Sequence, residues 1–480
     1  MRWFLSLAIF LSTLLLGACS EEPRPLPLPT PAQSDLIVLT EAGPLTYAKD
    51  DSVAVSGLAH DLIEAFAQEQ GVGVRYIVVP PEEFADRLAH GEAHFAAAWH
   101  APNDNPLLKA TPPIMSSQDI LVQPDASLPI EDLAELSGRT VHALAGSRQA
   151  AALRALQATI PGLQLVEEEG QDVFQLIAAV GDRQVDIALV DSAMLDIAFQ
   201  FVPAIQASLE VGDEQPIAWL FGSKHNPELF ARASAFIERS RRDGTLARIE
   251  DRYFGHVQRL KPEDIEKFLE KTETVLPKLR QHFVAAQNVS GIDWRLIAAV
   301  AYHESQWDAN ATSPTGVRGI MMLTEETADR LQVSNRLDPK ESIIAGGRYL
   351  DLLKNLLPAS VAEPDRTWLA LASYNIGPGH FNAARNLARQ LKADPDSWYE
   401  MKRILPLLAQ PKYYERLKSG RARGGEAVIL VENIRSYFAI LSYHEPAYRQ
   451  VPAMAENMVG MSGMLGSMVV RAPGLKAPKK

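Results

Sequence analysis

The sequence predicts a multidomain protein in which an α/β domain precedes a mostly α-helical domain. The chain has 480 residues, and at about 150 residues per domain this length allows two or three domains and their tails. From Asp35 to about Gly255, short apolar runs alternate with segments of helical apolar spacing. That alternation is typical of strands separated by helices. From Lys261 to about Tyr448, nearly all of the apolar spacing is helical.

The composition is that of a globular protein, and the net charge argues against one class of binding partner. Hydrophobic residues make up 47% of the chain and charged residues 22%, so large cores are possible. The net charge of -12 argues against a nucleic-acid partner, because binding phosphate needs a concentrated basic face. A neutral or zwitterionic glycan is compatible with this charge. The last segment, residues 451–480, is rich in Met and Gly without periodicity and is predicted to be disordered.

The N-terminal segment predicts a lipid anchor. Residues 3–16 are almost all apolar, a run too short to span a bilayer comfortably but suited to the core of a signal peptide. The following Leu16-Gly17-Ala18-Cys19 resembles a bacterial lipobox, which implies a signal peptide at 1–18 and lipidation of Cys19, the only cysteine. The Pro-rich residues 19–33 are then a tether, and they argue against the alternative of a buried N-terminal helix. By analogy with enterobacterial sorting, Ser20 favours the periplasmic face of the outer membrane.

The elements of the α/β part follow from local patterns. Four successive apolar residues predict a strand at Leu36–Leu39. A helix is predicted over 57–70 from the spacing of its apolar residues, and Gly71 ends it. Since helices separate the strands, the sheets are predicted to be mostly parallel. The other strands are predicted at 74–79, 94–99, 120–122, 140–144 and 186–190, and the other helices at 81–90, from 148 and from 173.

The order of these elements, over residues 34–258, resembles the periplasmic solute-binding proteins of the polar amino-acid transport family. The resemblance implies a two-lobed, periplasmic-binding-protein-like domain with a cleft between the lobes and hinge strands near Asp119 and Pro216. The matching segments are Gly57–Leu62, Asp132–Val141, Ala145–Ser147, Asp186–Asp191 and Asp243–Phe254.

The same resemblance implies two residues of a ligand cleft. Asp191 stands where the family places the carboxylate that meets the ligand's amine, and Ser147 stands in its second anion-facing turn. The arginine that grips the ligand's carboxylate in that family has no counterpart between His100 and Lys109, so free amino acids are not the expected ligand. A muropeptide or other small ligand, or a role as a scaffold, stays open. Asp191 is equally well interpreted as the cap of the helix that follows it.

The helical domain, predicted over residues 259–450, contains a candidate acid. On a helix over 293–305, Val300, Ala301 and Glu304 follow Ile297 at i+3, i+4 and i+7, so Glu304 continues the apolar stripe. A carboxyl group in an apolar pocket resists ionisation, which raises its pKa, and a general acid that works near neutral pH needs this shift. The alternative is a glutamate at the edge of the stripe.

Two motifs downstream of Glu304 favour the catalytic interpretation. In the loop Ser313–Leu323, Gly316 and Gly319 allow close approach of the backbone. Met321 and Met322 have unbranched side chains that can lie along a sugar ring. The turn Ala372–Gly377 supplies Tyr374 as a hydrogen-bond donor beside the acid and Asn375 to hold the turn.

Glu304-Ser305, the Gly319-Ile-Met-Met loop and the Ala-Ser-Tyr-Asn-Ile-Gly turn together resemble the family 1 lytic transglycosylases. The Met321-Met322 doublet, in place of the usual Met-Gln, resembles the subgroup with a fused solute-binding domain. The resemblance implies a lysozyme-like fold that acts on peptidoglycan glycan strands without a cofactor. It also implies the substrate-binding residues Ser305, Ser313, Gly319, Met321, Met322, Tyr374, Asn375 and Tyr437.

The family mechanism implies that Glu304 works alone. It would protonate the oxygen between N-acetylmuramic acid and N-acetylglucosamine, and then act as base on the C6 hydroxyl, which closes onto C1 as a 1,6-anhydro ring. The 2-acetamido oxygen would support the developing positive charge. Most glycosidases use two carboxylates, but no second motif carries one, and Asp308 is interpreted as a loop cap. The alternatives are a hydrolytic muramidase and a solute or muropeptide receptor with an inactive wall-binding module.

Two side chains near the candidate acid have structural alternatives. Ser305 would orient the acid or the acetamido group, although a hydrogen bond at the helix end is the common fate of such a serine. Tyr437, in the segment Val431–Tyr437, would face the cleft, and core packing is its alternative. His303-Glu-Ser-Gln-Trp lacks the second histidine of a zinc-protease motif, so no metal is predicted.

Overall fold

A computed structural model describes residues 26–29, 34–48, 55–97, 99, 105–224, 226–257, 259–314 and 316–449. The predicted signal peptide, Cys19, most of the predicted tether and the predicted tail at 451–480 lie outside the described residues. Among the helices that are described, none combines the length and the apolar character needed to cross a membrane.

The α/β part contains two five-stranded sheets, one in each lobe, in the orders β2-β1-β3-β10-β4 and β7-β6-β8-β5-β9. The predicted elements between Leu36 and Val190 are confirmed, with ends shifted by a few residues and with β5 much longer than predicted. The strands are β1 Leu36–Thr40, β2 Val74–Val78, β3 Phe95–Ala97, β4 Leu108–Ala110, β5 Met115–Pro124, β6 Thr140–Leu144, β7 Gln164–Glu168, β8 Ala188–Asp191, β9 Ile205–Ile217 and β10 Trp219–Gly222.

The prediction of mostly parallel sheets is wrong. β1 pairs in parallel with β2 and β3, and β6 with β7 and β8, as strands separated by helices do. The pairs of β10 with β3 and β4, and of β5 with β8 and β9, are antiparallel. The reason is that the chain passes between the lobes twice. It leaves the first lobe through β4 and β5 and returns in the opposite direction through β9 and β10.

The two passages between the lobes lie side by side close to Pro216, one of the two predicted hinge positions, whereas the other, Asp119, lies within the sheet of the second lobe, where β5 pairs with β8. The backbone N–H of Thr111 donates to Trp219 O at 2.9 Å, and that of Ile114 donates to Ile217 O at 2.7 Å. The helices around the two sheets are α1 Leu58–Gln70, α2 Phe84–Ala89, α3 Arg148–Gln157, α4 Val173–Gly181, α5 Ser192–Ala198, α6 Pro227–Asp243 and α7 Thr245–Phe254.

The C-terminal part is helical, as its apolar spacing predicts. Its helices pack around one large apolar core, and α10, which ends with the candidate acid, runs through that core. They are α8 Pro262–Thr274, α9 Leu276–Ser290, α10 Trp294–Ser305, α11 Glu325–Arg330, α12 Pro339–Asn355, α13 Asp365–Ile376, α14 Pro378–Gln390, α15 Trp398–Ile404, α16 Pro411–Tyr414 and α17 Gly424–His444.

The ends of α10 are set by local contacts. Asp293 caps the start, where its carboxylate accepts the backbone N–H of Arg295 at 2.8 Å. After Ser305 the backbone turns left-handed, with φ of 52° at Gln306 and 61° at Trp307. This reversal folds Trp307 back under the helix, where its indole N–H donates to Ala298 O at 2.9 Å. Glu304 is therefore held on the last turn of a rigid, buried helix.

The long helix α17 packs against α10 and contacts both lobes of the α/β part. On the first lobe, the Arg435 guanidinium donates to the carbonyl oxygens of Asp251 at 2.8 Å and Arg252 at 3.0 Å. On the second lobe, the rings of Tyr443 and Phe201 stack with centroids 4.7 Å apart. The helix that packs against α10 thus also contacts both lobes of the α/β part.

Candidate active site

Glu304 lies on the last turn of α10 and is partly buried. Ile297, Val300 and Ala301, which precede it on the same stripe, are fully buried, as their spacing predicts. Burial raises the pKa of Glu304 to about 7, because desolvation disfavours the carboxylate. Burial also lowers the pKa of the neighbouring His303 to about 4. Near neutral pH, the Glu304 carboxyl is therefore partly protonated, and the imidazole of the neighbouring His303 is neutral.

Tyr374, on α13, lies close enough to Glu304 for the two groups to interact electrostatically. Burial raises the pKa of Tyr374, and the negative charge of Glu304 raises it further. The phenol hydroxyl donates to Met321 O at 2.9 Å. The sequence predicts a hydrogen-bond donor beside the acid. The ring does stand beside it, but the hydroxyl proton is used to hold the glycine-rich loop.

Ser305 joins the end of α10 to the same loop. Its hydroxyl lies 3.1 Å from Ala301 O and 2.8 Å from Ile320 O, so its single proton is shared between a carbonyl in its own helix and one in the loop. The bond to Ala301 is the helix-end interaction foreseen as the common alternative. The bond to Ile320 fixes the position of the loop relative to Glu304.

Gly319 is required by the path of the loop. Its φ is +81°, and a Cβ atom at this position would lie 1.8 Å from Arg336 O. The Arg336 guanidinium closes the loop by donating to Gly316 O at 3.1 Å and Leu323 O at 3.2 Å. Sequence reasoning identified both glycines but missed Arg336, which has no motif to mark it.

Met321 is a core residue. It is 1% exposed, and its side chain packs so closely on Gly346 of α12 that a Cβ there would lie 2.4 Å from Met321 Cε. The expectation that this side chain lies along a sugar ring does not fit its burial. Met321 instead supplies the carbonyl that Tyr374 binds. The Gly346-Gly347 pair within a helix was an available signal of close packing.

Met322, Tyr374 and Asn375 line one open groove of about 500 Å³. Tyr349, which sequence reasoning missed, also lines it, with its ring 5.3 Å from that of Tyr374. Asn375 is exposed. The turn after α13, which Asn375 is predicted to hold, is closed by the backbone bond from Gly377 N–H to Ser373 O at 2.9 Å.

Ser313 and Tyr437 have local structural roles. The Ser313 hydroxyl accepts the backbone N–H of Val317 at 3.3 Å and closes the turn at the start of the loop. Tyr437 is 9% exposed. Its ring packs on Phe268 and Tyr302, with centroids 4.7 and 4.8 Å away. This is the core packing that the sequence analysis held as the alternative for Tyr437.

The remaining acidic candidate caps a loop. Asp308 is exposed, and its carboxylate accepts the backbone N–H of Asn310 at 2.9 Å, the loop-capping bond predicted from the sequence. Over the described ranges, no three His, Cys, Asp or Glu side chains are grouped so that they could hold a metal ion.

Ser147 and Asp191 lie together at a cavity of about 310 Å³ between the two lobes. The Ser147 hydroxyl caps α3 by accepting the backbone N–H of Ala150 at 3.1 Å. Asp191 caps α5, where its carboxylate accepts two backbone N–H groups. Each side chain is thus both a helix cap and part of the cleft lining. Sequence reasoning missed Trp99, which lines the same cavity and donates its indole N–H to Asp191.

Models of two known protein families match the chain, one in the helical part and one in the α/β part. The model of the transglycosylase SLT domain matches residues 281–396. The model of bacterial extracellular solute-binding proteins, family 3, matches residues 36–256. A solved ancestral arginine-binding protein bound to arginine is 20% identical, with a TM-score of 0.41, and covers 46% of this chain and 98% of its own.

Two curated relatives match almost the whole chain. Membrane-bound lytic murein transglycosylase F of Methylobacillus flagellatus is 41% identical over 93% of this chain and 95% of its own length. The protein of the same name from Nitrosospira multiformis is 41% identical over 92% of both chains.

Proposed function

The chain belongs to the family of membrane-bound lytic murein transglycosylase F, and we propose that it cleaves the β-1,4 bond between N-acetylmuramic acid and N-acetylglucosamine without water. The chain combines an SLT domain with a solute-binding domain, as expected of a lytic murein transglycosylase. The observation that carries the proposed chemistry is Glu304, a carboxyl group on the last turn of a buried helix with a pKa raised to about 7.

The proposed reaction uses Glu304 twice. With a pKa near 7 the carboxyl is substantially protonated at neutral pH, so it can donate a proton to the oxygen that leaves C1. The resulting carboxylate then takes the proton of the C6 hydroxyl as that oxygen bonds to C1, which closes the 1,6-anhydro ring and restores the acid. Ser305 and Tyr374 hold the glycine-rich loop in place beside Glu304.

The surroundings of Glu304 favour this reaction over hydrolysis by two carboxylates. A retaining or inverting glycosidase places its second carboxyl group about 5 to 9.5 Å from the first. Desolvation is the cause of the raised pKa of Glu304, and among the described residues no carboxylate contributes to that shift. Asp308, the acid that follows Glu304 in the sequence, is exposed and caps its own loop.

The test is mass spectrometry of the products released from purified peptidoglycan. The parent protein is expected to release fragments that end in 1,6-anhydro-N-acetylmuramic acid. Glu304→Gln is expected to lower that release by about 100-fold or more, because the amide cannot donate the proton. Glu415→Gln, at an exposed position, is the matched control and is expected to match the parent.

Two other results would contradict the proposal. Reducing ends that contain one added water would identify a hydrolytic muramidase. Release by the Glu304→Gln variant equal to that of the parent would contradict the catalytic role of Glu304, and no release by either protein would leave a receptor with an inactive wall-binding module.

For the α/β domain we infer that the cleft between the lobes holds a small ligand, and a muropeptide is the candidate. We also infer that binding of this ligand modulates the catalytic domain. The support is α17, which contacts both lobes and packs against the helix of Glu304. Calorimetric titration of the full-length Glu304→Gln variant with muropeptides is expected to show binding without turnover. Absence of binding by every muropeptide tested would leave the domain a scaffold.

We propose that the enzyme is anchored by lipid on Cys19 at the periplasmic face of the outer membrane. The lipobox-like Leu16–Cys19 supports this location, as does the membrane-bound character named in the relatives. Labelling of cells with a radioactive fatty acid is expected to mark the parent protein but not Cys19→Ala, and the variant is expected to leave the outer-membrane fraction. Equal labelling of both proteins would contradict lipidation at Cys19.

A further inference from the structure

The carboxylate of Asp191 is buried in the cleft and already surrounded by donors. It is 3% exposed. Its Oδ1 accepts two backbone N–H groups of α5, at 3.0 and 3.3 Å, and the indole N–H of Trp99 at 3.1 Å. Its Oδ2 accepts the hydroxyl of Ser117 and lies 3.6 Å from the Arg148 guanidinium. A carboxylate with this set of donors is stabilised without any ligand.

Trp99 differs from the other donors because it comes from the opposite lobe. Ser117 lies on β5, Arg148 begins α3 and the backbone donors belong to α5, all in the second lobe. Trp99 follows β3 of the first lobe, where its backbone N–H donates to Glu41 Oε1 at 2.6 Å. The bond from Trp99 to Asp191 therefore joins the lobes across the cleft.

Apolar packing accompanies this bond across the cleft. Trp99 is 3% exposed, and Ala193 and Met194 of α5 pack into the apolar core of the first lobe. The two lobes are thus held against each other at the position where the cleft would otherwise open toward Asp191.

The cavity that remains beside Trp99 is lined largely by carbon. Its volume is about 310 Å³. Its two other carboxylates are engaged, since Glu41 binds the Trp99 backbone and Asp172 accepts the Gln175 backbone N–H at 2.9 Å as the cap of α4. The apolar side chains that line it include Leu144, Val173, Leu176, Leu189 and Val190.

We propose that the indole of Trp99 occupies, from within the chain, the position at Asp191 that a cationic ammonium group would take, and so restricts the cavity beside Asp191, as one part of the cleft, to uncharged, largely apolar groups of a ligand. An ammonium group could reach Asp191 only by displacing the indole. That displacement would leave the indole N–H without a partner in a buried site and would remove the contact between the lobes. An uncharged apolar group fills the cavity without disturbing either contact.

This inference rests on the proposal that the cleft is a ligand site, and it does not depend on the catalytic role of Glu304. Its test uses two probes of nearly equal size that differ in charge, 3-methylbutan-1-ol and 3-methylbutan-1-amine. Binding of each to the full-length protein is measured by saturation-transfer NMR and calorimetry. The parent is expected to bind the alcohol about tenfold or more tightly than the amine.

Trp99→Leu is expected to bind the amine about tenfold or more tightly than the parent does, because the variant frees one acceptor position on Asp191. Combining it with Asp191→Asn is expected to abolish this gain. Combining it with Asp213→Asn, at an exposed position on β9, is the control for net charge and is expected to keep the gain. Trp99→Phe, which loses the N–H but keeps a ring, is the milder variant if Trp99→Leu does not fold, and a smaller gain is expected from it.

Three results would overturn the inference. The parent could bind the amine as tightly as the alcohol. The Trp99 variants could fold and gain no affinity for the amine. The gain could survive Asp191→Asn, which would place the amine elsewhere. Each of these results is independent of product release by Glu304.

Discussion

At the scale of single residues, the burial of Glu304 lowers the stability of the folded protein at neutral and higher pH. Burial raises the pKa of Glu304 from 4.5 to about 7. Between these two values the folded state binds more protons at this site than the unfolded state does. Stability from this group is therefore fully present below about pH 4.5 and is lost as the pH rises through the folded pKa. The ionised carboxyl of Glu304 therefore destabilises the folded enzyme, while the same burial keeps a proton donor available at neutral pH.

Glu304→Gln is therefore expected to be more stable than the parent in alkaline solution. The advantage in the free energy of unfolding should grow by about 2 kcal/mol between pH 5 and pH 8, since the amide has no charge to desolvate. Urea unfolding of both proteins at each pH measures this difference. The buried His303 titrates in both proteins, so its effect cancels in the comparison. A stability difference that does not change with pH would contradict the burial of an ionisable acid at this position.

At the scale of elements, backbone contacts set the position of the glycine-rich loop, Ser313–Leu323. Tyr374 and Ser305 bind carbonyl oxygens of Met321 and Ile320, while Arg336 closes the loop from the other side. Gly319 lies at the centre of these contacts, where the adjacent chain leaves no room for a Cβ atom. The loop thus owes its position to these backbone contacts together with the packing of the Met321 side chain on Gly346.

Gly319→Ala and Gly316→Ala form a matched pair that tests this view. Both glycines have positive φ, +81° and +83°, but a Cβ atom at Gly316 meets nothing within 4 Å. Gly316→Ala is expected to cost about 1 kcal/mol of stability, from the left-handed backbone alone. Gly319→Ala is expected to cost about 3 kcal/mol or more, because it adds a collision with Arg336 O. Urea unfolding measures both losses, and equal losses would contradict the close approach at Gly319.

At the scale of the whole molecule, α17 couples the two parts through a buried ionic group. Arg435 is almost fully buried. It pairs with Glu432 at 3.0 Å and donates to two carbonyl oxygens at the end of α7. Lys402 pairs with Asp251 at the same interface. Removing one partner of such a buried pair leaves the other charge without compensation, which destabilises the interface.

Arg435→Met is expected to destabilise the catalytic domain by about 3 kcal/mol or more, because Glu432 is left buried without its partner. Scanning calorimetry should then resolve two unfolding transitions where the parent shows one. Arg423→Met, at the start of the same helix, is the control. Its side chain is 78% exposed, and its loss should change stability by less than about 0.5 kcal/mol. A single transition with an unchanged midpoint in Arg435→Met would contradict the coupling.

The amino-acid sequence by itself determined the order of the two domains, most of the helices and the place of Glu304 on a buried stripe. These features depend on residues that are close along the chain, so their periodicity is visible without a structure. The resemblance of three short motifs was enough to indicate the family.

Only the tertiary structure decided the strand directions, the burial of Met321, the packing of Tyr437 and the contact of Trp99 with Asp191. Each depends on groups that are far apart in the sequence, such as the 92 positions between Trp99 and Asp191 and the 53 between Met321 and Tyr374. The physical reason is that a local pattern specifies which side of an element is apolar, but not which element covers it or which donor reaches a buried carboxylate.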